Sequence, residues 1–225
     1  MFRPGIIRGP LVVTLLALVA ALLPAGLSRA AAAGSVAPAA GPQQLITVTA
    51  SSYATTYATL RAYRVSGGKR VEVFGPWTAR VGYNGVARPG KKREGDGKTP
   101  SGSYGFSFFF GVDPDSHFAF SFRHAYTYDY WDDEPASPRY NEWVDIKTAS
   151  PGADPEPMHN VPAYDYAAVI AYNTARVPGL GSAIFLHVGT GGPTAGCVSL
   201  PKAELLKILS WLKPADSPRI TITAA

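Results

Sequence analysis

The chain has 225 residues, 46% hydrophobic and 16% charged, with 21 Lys and Arg against 16 Asp and Glu and a single cysteine. That length and apolar content suit one ordinary domain with ample core. The formal charge of +5 is a mild excess, and it argues against a nucleic-acid-binding protein, which concentrates a stronger basic patch.

The first 33 residues are predicted to be a secretory signal peptide. Arg3 and Arg8 precede an apolar run from Leu11 to Leu23, Pro24 breaks it, and "SRAAAAG" offers small residues for cleavage between about Ala31 and Gly34. The run is 13 residues long. A bilayer-crossing helix needs roughly 20, so no transmembrane anchor is expected in the mature form. Without Arg3, Arg8 and Arg29 the basic count falls from 21 to 18 against 16 acids, a mature charge of +2. "GSVAPAAGPQ" opens an Ala/Pro/Gly linker over 34–45, and residues 46–225 remain for one domain without internal repeats.

That domain is predicted to be mainly β, a sandwich or barrel with one amphipathic helix. "LITVTA" (Leu45 to Ala50), "ATLRAYRV" (Ala58 to Val65) and "KRVEVFGPWTARVG" (Lys69 to Gly82) are rich in β-branched and aromatic residues, and "SGG" between the last two is hairpin chemistry. "GSYGFSFFFG", "FAFSF", "EWVDI", "YAAVIAY", "SAIFLHV" and "RITIT" continue the series. The aromatic, acidic and proline-rich stretch from His124 to Tyr166 reads as an ordered lid or groove wall, because disordered segments are poor in aromatics. In "SLPKAELLKILSWLKP", Leu205, Ile208, Leu209 and Leu212 recur at helical spacing, with Pro201 in the first turn and Pro214 beyond the end.

The lone thiol, Cys197, lies in "IFLHVGTGGPTAGCVSLP". A single cysteine is often a small buried hydrophobe, and in an exported chain it can form an intermolecular disulfide. Its neighbours favour chemistry. A strand delivers His187 at its end, and a loop with four glycines and a proline folds back toward that start. The thiol then comes within reach of the imidazole, and the positive end of the helix that follows favours the thiolate. Backbone N–H groups of Gly196 and Cys197 are candidate oxyanion donors. Val188 offers a backbone carbonyl to orient His187, which no neighbouring carboxylate in sequence does.

"IFLHVG" with "PTAGCVSL" resembles the active-site signature of the L,D-transpeptidase (YkuD-type) catalytic domains, in which a strand-ending histidine is followed by a Ser/Thr-x-Gly-Cys element; Thr194 to Cys197 occupy that element. "DGKTPSGSYGF", Asp96 to Phe106, resembles the TPxGxY/F turn and strand of the same domains. The resemblance implies a mostly β fold, Cys197 as nucleophile, His187 as base, Gly196 in the oxyanion loop, and peptidoglycan stem peptides as partners. Ala195 and Ser199 depart from the family pattern, which often has a histidine before Gly-Cys and Arg or Asn two residues after the cysteine. The resemblance is therefore to a divergent branch of that family.

Tyr172 and Asn173, on the strand before the histidine strand, are candidate substrate contacts, with Thr194 and Ser199. Trp131, Asp132, Asp133, Tyr140 and Asn141 either bind substrate or hold a long loop down. "GDGKTPSG" is no phosphate loop, since Lys92 stands where the first glycine belongs, and Lys91 to Arg93 read as a solvated loop. His117, His124 and His159 with Asp113, Asp115, Asp132 and Asp133 match no zinc signature, so neither metal nor organic cofactor is expected. The sequence therefore predicts an exported, monomeric cysteine acyltransferase of the cell envelope. An L,D-carboxypeptidase and a silent wall-binding module are the alternatives.

Overall fold

The computed structural model describes residues 41–225. The expected signal peptide at 1–33 and most of the 34–45 linker lie outside the described residues. Strands β1 (Gln44–Ala50), β2 (Tyr57–Ser66) and β3 (Lys69–Arg80) form an antiparallel meander. The β2–β3 hairpin turns on Gly67 and Gly68, both at positive φ, which matches the twist of the flanking strands. Short β4 (Val86–Ala87) and β5 (Thr99–Pro100) pair with each other, and β6 (Gly102–Tyr104), β7 (Phe106–Gly111) and β8 (Phe122–His124) follow. Then come β9 (Asp129–Asp132), β10 (Glu142–Asp145), β11 (Glu156–Pro157), β12 (Ala167–Ile170), β13 (Phe185–Val188), β14 (Val198–Leu200), α1 (Lys202–Trp211) and β15 (Arg219–Ala224).

Ten strands make the main sheet, in the order β6-β15-β1-β2-β3-β14-β13-β12-β7-β8, and β10-β9-β11 make a small second sheet. The fold is mainly β with one α-helix among the described residues, in agreement with the sequence. The sheet curls so that Ile46, Leu60 and Ile222 from one end share a core with Ile170, Leu186 and Leu200 from the other. Helix α1 fills this core with Leu205, Ile208, Leu209 and, just past its end, Leu212, all at 0% exposure. Each such burial is worth about 1.5–3 kcal/mol before entropy is counted.

The sequence reading differs from the structure in three elements. "FAFSF" keeps strand-like alternation, with Phe118 and Phe120 buried and Ala119 and Ser121 exposed, yet only Phe122 joins a ladder. The two phenylalanines instead pack on the Phe109 ring. Ser199 and Leu200 belong to β14 rather than to the helix approach, and the helix starts at Lys202 after Pro201. Finally, the 124–166 stretch holds three strands rather than one. It is pinned by side chains: Trp131 Nε1 donates to Asn141 Oδ1 at 2.9 Å, Trp143 Nε1 to Asp129 Oδ1 at 2.8 Å, and Ser137 Oγ and Gly152 N both to Asp132. No helix among the described residues is long and apolar enough to cross a membrane.

Candidate active site

Strands β13 and β14 are parallel neighbours, joined by residues 189–197 alone. Parallel strands usually need a connection of a dozen or more residues, so this crossover is tight. It returns the chain to the start of β13. Leu186 pairs with Val198 and His187 with Ser199, which sets Cys197 beside Phe185. Alternation along a strand then puts Phe185, His187, Cys197 and Ser199 on one face, with His187 and Cys197 diagonal neighbours.

The returning loop is held by the two sequence motifs meeting. Thr194 N donates to Val81 O at 3.0 Å and Tyr83 N to Thr194 O at 2.7 Å. Thr99, from the upstream "KTPSG", is fully buried; its Oγ1 accepts from Gly82 N at 2.9 Å and donates to Cys197 O at 3.1 Å. Thr194 Oγ1 donates to the same carbonyl at 2.7 Å and accepts from Gly196 N at 3.2 Å. A Cβ on Gly196 would lie 3.2 Å from Lys98 O and 3.3 Å from Ile184 Cδ1, so the loop lies flush on the β5 approach and has little room for a side chain there.

Cys197, His187, Ser199 and the 194–196 backbone line a cavity of about 300 Å³. The thiol accepts from Phe185 N at 3.3 Å and donates to Ala183 O at 3.2 Å. Burial pushes it up to about 12, an effect that Glu156 adds to and that the Phe185 N–H and the Lys92 charge oppose. His187 Nδ1 lies 2.8 Å from Val188 O. Burial holds the imidazole down to about 4, against the carbonyls of Val188 and Ala163. Thiol and imidazole are thus both neutral near pH 7, and among the described residues no hydrogen bond joins them.

Several sequence expectations need correction. The helix does not support the thiolate: α1 packs with Leu186, Val198 and Leu200, on the sheet face opposite Cys197, and β14 intervenes. Gly196 N–H is turned to Thr194 rather than into the cavity. Thr194 lines the cavity, but its hydroxyl is spent on the loop. Tyr172 and Asn173 are not among the cavity residues. Tyr172 Oη donates to Leu180 O at 2.5 Å, and Asn173 Nδ2 donates to Val177 O and Gly181 O, so both shape the 174–182 loop. Asn141 and Asp132 likewise hold the fold together.

Lys92 is the largest departure. Far from solvated, it is 5% exposed and lines the cavity. Its Nζ donates to Asp96 Oδ1 at 2.6 Å and Arg93 O at 2.8 Å. Asp96 stays below its usual range despite burial, because Lys92 and the N–H groups of Arg93 and Lys98 all donate to it. A Cβ on Gly196 would be 3.7 Å from Lys92 Nζ, so a fixed positive charge stands beside the cysteine loop. Three acids, Glu94, Asp133 and Glu156, and Tyr164 also line the cavity.

A curled, mainly β domain with a cysteine and a histidine lining one cavity defines the class of fold and site. The model of the L,D-transpeptidase catalytic domain family (YkuD) matches residues 43–222, and the chain belongs to that family. Comparison with curated proteins found no match. Among solved structures, the chain is similar to the helical cell shape determining protein Pgp2 from Campylobacter jejuni, at 14% identity and a TM-score of 0.37. The similarity covers 80% of this chain and 48% of that one, so the chain spans about half the length of that protein's chain.

Proposed function

We propose that the protein is an exported cysteine acyltransferase that acts on peptidoglycan stem peptides. The observation that carries this reading is the β13–β14 register, which sets Cys197 and His187 as diagonal neighbours on one cavity wall in a member of the L,D-transpeptidase family. The N-terminal sequence of Arg3, Arg8, the apolar run and the small residues before Gly34 supports export.

His187 takes the thiol proton as Cys197 Sγ attacks the carbonyl carbon of the bond after the diamino acid. The Val188 carbonyl 2.8 Å from Nδ1 fixes that nitrogen as the protonated one and leaves Nε2 as the base. The tetrahedral intermediate collapses, the leaving amine takes the proton from His187, and a thioester remains on Cys197. An amine of a second stem then displaces the thiol, which recovers its proton. The Lys92 ammonium beside the loop favours the negative charge that develops on sulfur and on the carbonyl oxygen.

Intact-mass analysis after exposure to a carbapenem tests the reading. One covalent adduct on Cys197, absent in Cys197→Ala, is expected; an unreactive Cys197 in folded protein would sink it. Product analysis on stem peptides with and without an amine acceptor separates transfer from hydrolysis of the same thioester.

A further inference from the structure

Ala183 stands in the left-handed region, at φ 50°, two residues before β13. A Cβ makes that conformation unfavourable, so it persists only where the surroundings fix it. Asn141 supplies the anchor. Its Oδ1 accepts from Ala183 N at 3.2 Å and from Trp131 Nε1 at 2.9 Å, and its Nδ2 donates to Tyr172 O at 3.3 Å and Asn173 O at 3.0 Å. Both lone pairs of the oxygen and both amide protons are thus engaged, and the amide cannot turn over without losing these bonds.

The carbonyl of the same residue takes the thiol. Cys197 Sγ donates to Ala183 O at 3.2 Å and accepts from Phe185 N at 3.3 Å, so the sulfur sits in a seat made by the stretch from Ala183 to Phe185. The two bonds act in opposite senses: the Phe185 N–H favours the thiolate, whereas Ala183 O is satisfied only by the protonated thiol. When His187 acts as base, the S–H bond breaks as the Nε2–H bond forms, and the proton leaves Ala183 O for the imidazole. The direction of the Ala183 carbonyl therefore sets how far Sγ must turn to reach His187. Ala183 lines the catalytic cavity, and Asn141 is not among the lining residues.

We propose that Asn141 is a positioning residue for the reaction at Cys197: it locks Ala183 in the left-handed conformation, aims the Ala183 carbonyl at Sγ, and so sets the direction of the thiol. The proposal rests on the cysteine acyltransferase reading above. Trp131 and Asn141 both belong to the 124–166 stretch, which thereby acts on the nucleophile through one amide.

The test is carbapenem acylation of the full chain, followed as maximal rate and half-saturating concentration. Asn141→Ala should lower the maximal rate by about tenfold or more and leave half-saturation within about threefold, because the side chain acts on the sulfur's position and not on binding. Ala183→Gly added to that variant should raise the maximal rate again by about threefold or more, since glycine adopts the left-handed conformation without a Cβ penalty. A residue that only held the fold together would not be rescued there. Asn141→Gln, which keeps the amide but displaces its oxygen, replaces Asn141→Ala if that variant does not fold, with the same pattern expected. A maximal rate within about threefold of wild type, a loss confined to half-saturation, or no recovery with Ala183→Gly would overturn the assignment. A wild-type chain that is not acylated at all sinks the enzyme reading instead, and iodoacetamide then reads the seat alone. Asn141→Ala should speed Cys197 alkylation by about threefold or more and Ala183→Gly should slow it again, whereas unchanged alkylation would overturn the positioning role.

Discussion

On one face of β12, β13 and β14 stand Ala168, Ile170, Leu186, Val188, Val198 and Leu200; on the other stand Ala167, Val169, Phe185, His187, Cys197 and Ser199. The first face packs aliphatic side chains against α1, and its stabilisation scales with area and has no direction. The second packs Phe185 among Phe110, Trp131 and Tyr164, and it ends in groups with directed bonds. One pleat thus divides scaffold from chemistry. Strand period, not separate domains, keeps them apart.

The contrast breaks most sharply at the thiol. On the proposed mechanism, Cys197→Ala should reduce carbapenem acylation and peptide turnover by at least about 10⁴-fold, because that mechanism loses its nucleophile; its melting temperature should stay close to wild type. His187→Ala should lower turnover by about 10²–10⁴-fold while leaving the thiol open to small alkylating agents. A turnover loss under threefold would remove His187 from the role of base.

Stability should separate the faces next. Leu209→Ala on α1 should cost about 2–5 kcal/mol in denaturant unfolding, yet leave Cys197 alkylation in the folded protein within twofold. Phe185→Ala should cost about 3–5 kcal/mol and also speed alkylation, since it opens the space around Sγ. Equal effects of the two on alkylation would erase the division.

Acid should act through the second face. His187 sits at about 4 in the folded protein against an ordinary 6.5, so below 6.5 the unfolded chain binds a proton that the folded one refuses. Its contribution is present above pH 6.5 and lost as pH falls toward 4, amounting to about 3 kcal/mol. Urea midpoints of wild type and His187→Gln across that window should converge at low pH. In the other direction, iodoacetamide should modify Cys197 about tenfold faster per pH unit from 7 to 9 without a plateau, because the thiol lies near 12. A plateau near neutral pH would show a preformed ion pair instead. The smallest effect belongs to the loop: Thr99→Val removes the bridge between Gly82 N and Cys197 O and should cost about 1–3 kcal/mol.

Legibility in the sequence follows the same division. The β1 to β3 meander and the α1 stripe were readable because burial repeats with the period of the element. Strand β14 was not: three residues give no period, and Ser199 and Leu200 read as a helix lead-in. Cys197 and His187 stood out because a glycine-rich loop joins them in sequence. Lys92 did not, since Lys91 and Arg93 on either side look solvated; only the four-residue spacing to Asp96 hinted at a pair. Asp133 and Glu156 come from stretches without periodicity, and Glu94 joins them only through the fold. Tyr172 and Asn173 were read as cleft residues from their place beside the histidine strand, whereas the 174–182 loop draws their polar groups away.

Peroxide oxidation and disulfide exchange both start from the thiolate. Cys197 Sγ is buried and donates to Ala183 O, and burial pushes the thiol up to about 12, so the thiolate is scarce near neutral pH. Oxidation of the only thiol in the sequence should therefore be slow near neutral pH, and the rate of peroxide consumption by the folded protein measures it. The burial that does this comes from the same aromatic face that packs Phe185.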